Sequence, residues 1–169
     1  MITFAKGVTS GYLPLGGVIV SDKVAEPFWS APGAPVFRHG PTYSGHATCC
    51  AAAIANIELL ERDGLLHRGQ ENEQPLLDAL SPLARHPAVA EVRGGIGTLA
   101  AVELAVEVLE QDPGAVASLV TAARQAGVLV RGLARGVAVS PPLTAEPQHF
   151  AMIADALEQG LGATTPAAG

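Results

Sequence analysis

Two lysines occur in the chain, Lys6 and Lys23, and only Lys6 stands where an amine could do chemistry. It follows the apolar run Ile2-Thr3-Phe4-Ala5 and precedes a loop punctuated by Gly7, Gly11, Pro14, Gly16 and Gly17. If residues 2–5 form a buried strand, the ammonium at its end is partly desolvated, which favours the neutral amine. A neutral amine is the nucleophile that condenses with a carbonyl to form a Schiff base. The same residues also suit a strand-end lysine that snorkels to solvent, so residue type alone leaves both readings open. Arg131 is the second candidate, a lone guanidinium in a run of small and branched residues. It could clamp a substrate carboxylate bidentately, or form a structural ion pair with Glu91, Glu103 or another acid. Arg135, in a short turn, reads as surface.

The elements that must hold these groups follow from pattern and punctuation. Residues 17–21 read as a second short buried strand, so strand, loop and strand frame the lysine. Ser21 or Asp22 can cap a brief helix through Phe28. A polar loop, His39-Gly40-Pro41-Thr42-Tyr43-Ser44-Gly45-His46, runs into an alanine-rich helix over 47–62, stopped by Asp63-Gly64. That helix is apolar on most faces and is expected to be buried. Residues 65–83 have helical propensity, with Pro75 and Pro82 starting, kinking or ending segments. Residues 88–104 read as two antiparallel strands joined by a glycine bend. A helix over 113–126 is closed by Gly127, and short strands follow at 128–131 and 137–140. Thr144 can cap a last helix whose Phe150, Ile153, Ala154, Leu157 and Leu161 share an inward face, and 162–169 reads as a frayed tail. The shift in composition divides the chain. Residues 1–64 look like parallel-sheet material with too few strands for a complete sheet, and 65–162 like a smaller α/β unit with antiparallel strands.

With 49% hydrophobic and 15% charged residues, the chain is expected to bury surface against a partner subunit or a further domain. The net charge of −6 and the scatter of ten basic residues provide no cationic stripe, which excludes nucleic-acid and membrane-surface roles. The apolar run 49–60 is interrupted by Asn56 and Glu58, so no membrane span is expected, and the N-terminus has no signal-peptide pattern. Cys49 and Cys50 are adjacent, form neither an ordinary disulfide nor a metal motif, and read as small buried hydrophobes in a reducing cytoplasm.

The order of motifs from Ile2-Thr3-Phe4-Ala5-Lys6-Gly7, through residues 39–46, to Val130-Arg131-Gly132-Leu133 and Ser140-Pro141-Pro142-Leu143-Thr144 resembles the C-terminal portion of class III aminotransferases. These are the pyridoxal-phosphate-dependent ω-aminotransferases of fold type I, and the resemblance covers about residues 2–161. It implies an α/β fold: the end of the large-domain sheet over 1–64, a small C-terminal α/β domain with antiparallel strands over 65–162, and a tail over 163–169. It also implies transamination between a small-molecule amine and a keto acid or aldehyde, with pyridoxal 5'-phosphate as cofactor. Decarboxylase, aminomutase and racemase chemistry are alternatives on the same fold.

The lysine matching Lys6 carries the cofactor covalently and shuttles the substrate proton. Pro41 and Thr42 match the cofactor-binding segment, where the threonine holds the phosphate, typically in the opposite subunit of a homodimer. A hydroxyl and main-chain N–H groups ahead of a helix make an anion site, although Thr42 and Ser44 could simply cap the helix. The family does not use His39 and His46 as metal ligands, and both are read as loop hydrogen-bonding groups. Arg131 matches the mobile arginine that takes substrate carboxylates. The phosphate loop, the stacking aromatic and the aspartate facing the pyridine nitrogen belong to the family's upstream half. The site is therefore expected to be incomplete in this stretch, and the competing reading is a remnant that only associates with a partner chain.

Overall fold

The computed structural model describes residues 1–30 and 32–164. The chain forms two compact units, one spanning Met1–Gly64 and the other running from Leu65 onward.

In the first unit, β1 (Ile2–Ala5) pairs with β2 (Gly16–Ile19), with Ile2 opposite Ile19 and Ala5 opposite Gly16. The pairing is antiparallel, which corrects the parallel-sheet expectation. Residues 6–15 are fewer than the dozen or so that a parallel crossover needs, so the chain turns straight back. Phe4 lies opposite Gly17, and its ring occupies the space of the absent side chain: a Cβ on Gly17 would sit 2.4 Å from the ring Cζ. The expected burial of both strands does not occur, because Ile2, Val18 and Ile19 are each more than half exposed. α1 (Asp22–Trp29) runs one residue past the expected end. Phe28, Trp29 and Phe37 then gather with ring centroids 5.6 to 6.3 Å apart.

α2 (Ala47–Arg62) has the expected bounds, with Asp63 as C-cap and Gly64 at a φ of 61°. Only Cys49 and Ala53 of this helix are buried, and Ile54 is 58% exposed, so its apolar character does not make it a buried helix within the unit. α2 packs one edge against the turn that carries Lys6 and leaves its other apolar faces uncovered by the unit.

The second unit holds α3 (Leu65–Glu71), α4 (Glu73–Leu80) and a 3-10 turn at Ser81–Arg85 that begins with Pro82 near its start. β3 (Val89–Ile96) and β4 (Leu99–Leu104) form the expected antiparallel pair. α5 (Val106–Gln111) has no counterpart in the sequence reading, whereas α6 (Ala115–Gln125) ends at Gly127 with a φ of 88°, as expected. β5 (Arg131–Gly132) and β6 (Gly136–Val139) complete an antiparallel sheet in the order β3-β4-β6-β5. The expected strand at 128–131 is shortened because the Val128 N–H is spent on the Ala123 carbonyl, at 2.9 Å, tying that residue to the end of α6.

α7 (Pro147–Thr164) starts at a proline, whose missing N–H is not needed in a first turn. Thr144 therefore does not cap it, and the Glu146 N–H instead donates to His149 Nδ1 at 2.9 Å. The helix continues through the first residues of the expected tail, and residues 165–169 lie outside the described residues. The core joins Leu80, Val102, Leu104, Leu119, Val137, Phe150, Leu157 and Leu161, all fully or almost fully buried. Among the described residues no helix is long and apolar enough to cross a membrane.

β4 and β6 approach closely at Gly136, opposite Glu103, where a Cβ would lie 2.1 Å from the Val102 carbonyl oxygen. Backbone cannot yield as a side-chain end would. Gly136→Ala is expected to cost about 1–3 kcal/mol in urea denaturation. Gly162→Ala, with open space around its Cβ, is expected to be neutral or stabilising by up to about 1 kcal/mol.

Candidate active site

Lys6 opens a 3-10 turn, Lys6–Thr9, directly where β1 ends, and its φ is 50°. A residue with a Cβ adopts that left-handed conformation at a cost of about 1–3 kcal/mol, so neighbouring groups must hold it there. The Gly11 N–H donates to the Lys6 carbonyl at 2.9 Å, and the Ser10 N–H to that of Gly7 at 3.1 Å. The Thr9 hydroxyl donates to the Leu13 carbonyl at 2.6 Å and lies 3.4 Å from that of Lys6. Thr9 is only 2% exposed, and it is the buried polar group of this unit.

Asn56 reaches across from α2. Its amide donates to the carbonyls of Gly7 and Val8, both at 3.1 Å, and its Oδ1 accepts from the Ser10 hydroxyl at 2.5 Å. One sign of this lies in the residue pattern, where Asn56 is a polar residue in an otherwise apolar stretch of helix. A concavity of about 420 Å³ opens beside the turn, lined by Lys6, Gly11, Tyr12, Leu13, Pro14 and Leu15. The Lys6 side chain itself is exposed. The main chain, not burial, fixes its origin.

Pro41 and Thr42 belong to the same unit, in an exposed turn over 42–45 where the Ser44 N–H donates to the Pro41 carbonyl at 3.0 Å. Neither Thr42 nor Ser44 caps α2. The N-cap is His46, whose Nδ1 accepts from the Cys49 N–H at 3.5 Å. The Thr42 hydroxyl and the N–H groups of Thr42 and Tyr43 have no partner among the described residues, so three donors remain available to an anion. No hydrogen bond joins Lys6 to Pro41 or Thr42 among the described residues.

In the second unit, Arg131 opens the edge strand β5 opposite Ala138, is exposed, and makes no ion pair among the described residues. Neither Glu91 nor Glu103, the acids suggested by the sequence, pairs with it. Glu103 pairs with Arg93 and with Arg135, the residue read from sequence as plain surface, and Arg93 also meets Glu91 at 2.7 Å. The Arg93 hydrogen bond, with further help from Arg135, holds the Glu103 carboxyl below its ordinary value. A groove of about 410 Å³ beside Val128, Val139, Pro141 and Ile153 has no amine in its lining.

The family model described as Aminotransferase class-III matches residues 1–161. The chain belongs to the class-III aminotransferase family. Diaminobutyrate–2-oxoglutarate transaminase of Halomonas elongata is 36% identical over 99% of this chain and 37% of its own length. An (S)-enantioselective ω-transaminase from Thermomicrobium roseum superposes with a TM-score of 0.86 at 37% identity, over 97% of this chain and 37% of that one. An amine transaminase from an uncultivated Pseudomonas species, solved in its PLP-bound internal aldimine form, gives 0.88 at 33% identity, over 96% and 38%. This class-III aminotransferase chain thus spans little more than a third of the length of these relatives, and it has the fold type I architecture of the corresponding part of them.

Because the Glu103 carboxyl is held low, its contribution to stability is complete above its ordinary value of 4.5 and is lost as pH falls through the depressed value. Glu103→Gln is expected to remove that part of the acid limb, making urea midpoints less dependent on pH below about 4.5. An unchanged pH profile would show that the cluster adds nothing to folding.

Proposed function

We propose that this chain is the lysine-bearing part of an aminotransferase that moves an amino group between an amine donor and a keto acid or aldehyde, with pyridoxal 5'-phosphate as cofactor. The observation that carries the proposal is Lys6, held at a strand end in a left-handed turn beside an open concavity. The residues present fit two ends of such a cofactor. A primary amine on a fixed main chain suits its aldehyde, and the free donors of Thr42 and Tyr43 suit its phosphate. When bound, the group supplies an electron sink for the substrate carbon.

Lys6 Nζ is the covalent anchor and, when not so engaged, the base that takes a proton from the substrate carbon and returns it. Pro41 shapes the turn that presents the Thr42 hydroxyl. By the family resemblance, the threonine serves the site of a second subunit in a homodimer. Arg131, without an acidic partner among the described residues, is the clamp for a substrate carboxylate. Residues 1–64 are the end of the large cofactor-binding domain and 65–162 the small domain. The exposed faces of β1, β2 and α2 are where the remainder of an enzyme of the relatives' length packs. The relatives are named as transaminases, which favours amino transfer over decarboxylation or racemisation, and the two free cysteines favour a cytoplasmic setting.

Incubating the chain with pyridoxal phosphate, reducing with borohydride and mapping the adduct by mass spectrometry is expected to place the label on Lys6 in clear excess over Lys23. Equal labelling would remove Lys6 as a specific anchor. In the full-length enzyme, Arg131→Ala is expected to raise KM for a carboxylate-bearing acceptor by about tenfold or more while leaving a neutral aldehyde nearly unaffected, as loss of a charge-assisted hydrogen-bond pair predicts. Equal effects on both acceptors would reject the clamp.

A further inference from the structure

We infer that Asn56 is a positioning residue for Lys6: its side-chain amide fixes the main chain of the lysine turn and so sets where the amine emerges. The inference rests on the proposed role of Lys6 as anchor.

The turn must be held from outside itself. Two of its residues, Lys6 at a φ of 50° and Ser10 at 49°, carry a Cβ in the left-handed region, and left alone they would relax toward ordinary backbone values. Thr9 and Gly11 hold the turn from within. Asn56 is the one side chain of α2 that grips it from another element, fifty residues away in sequence on a helix whose ends are well defined. Its three bonds use the amide fully in one direction: both N–H donors go to successive carbonyls, Gly7 and Val8, and the oxygen takes the Ser10 hydroxyl.

The chemistry of that pattern is specific. Two carbonyl oxygens side by side need two donors, so an amide fits and a carboxylate does not. Asn is also a poor choice for the interior of an apolar helix on propensity alone, and an alanine there would favour the helix. Its presence is accounted for by the bonds to the turn. Moving Gly7 and Val8 moves Lys6 directly, because they follow it in the chain.

The test compares the wild-type chain with Asn56→Ala and Asn56→Asp, using pyridoxal phosphate and borohydride as the probe, and reads two quantities at pH 7.5. One is the ratio of label on Lys6 to label on Lys23, which is also exposed and so controls for simple accessibility. The other is hydrogen exchange of the Gly11 amide, which donates to the Lys6 carbonyl. Loss of two or three hydrogen bonds is expected to lower the ratio about tenfold and to speed Gly11 exchange by a similar factor, with far-UV helix content unchanged.

Asn56→Asp has the native volume and keeps the Ser10 bond, yet sets a carboxylate against two carbonyls. It is expected to be as damaging as Asn56→Ala and decides the matter if the alanine variant does not fold. A labelling ratio and exchange rate unchanged in the aspartate variant would overturn the inference. If the wild-type chain labels Lys6 and Lys23 equally, the anchor reading fails. Gly11 exchange then judges the clamp by itself, faster in the variants if Asn56 holds the turn and unchanged if it does not.

Discussion

A lysine with its backbone in the left-handed region stays there only while the carbonyls around it are tied down. In this chain the ties come from three directions. Gly11 closes the turn on the Lys6 carbonyl, the buried Thr9 hydroxyl secures Leu13, and Asn56 of α2 takes Gly7 and Val8. The rest of the first unit can be understood as what these bonds require. β1 delivers the chain to Lys6, β2 returns it antiparallel after the loop, and α2 supplies the amide. The hairpin and the helix need not bury much to do this, and they do not: among the described residues of the unit only Thr9, Cys49 and Ala53 are buried.

The second unit answers to a different constraint. Its antiparallel sheet and α4, α6 and α7 enclose a dense apolar core around Leu80, Val102, Leu119 and Leu157, with glycine used where backbones or helices must come close. Gly136 lets β6 lie against β4, and Gly160 leaves room for Leu119, whose Cδ1 would lie 2.7 Å from a Cβ there. Its charged groups pair in the Arg93, Glu103 and Arg135 cluster and again between Arg68 and Glu146, whereas Arg131 makes no ion pair among the described residues. A guanidinium without an acidic partner is what a ligand carboxylate needs.

Much of this was legible in the residues. The bounds of α2, the β3–β4 pair, the stops at Gly64 and Gly127 and the inward face of α7 all follow from local signals, namely periodicity, alanine content and glycine at positive φ. Family membership was legible as well, because the motifs keep their order along the chain. What was not legible depended on partners distant in sequence. Residues 2–5 and 17–21 look buried because they are apolar, but burial needs a covering layer, and this unit contains none over the hairpin. α5 is hidden in the sequence because Val106–Gln111 spans only six residues, too short a window for helical periodicity to show even though Pro113 and Gly114 stop it. The roles of Arg135 and Asn56 were hidden because each is fixed by a residue far away in the chain, Glu103 for one and the lysine turn for the other.

β5 carries one further consequence. It is one edge of the four-stranded sheet, it is only two residues long, and the first of them is an exposed arginine. A short, charged border offers an incoming strand almost no ladder to extend on that side of the sheet, in contrast to the eight-residue β3 at the other edge. An exposed guanidinium on so short an edge disfavours strand addition there whether or not a carboxylate is ever bound.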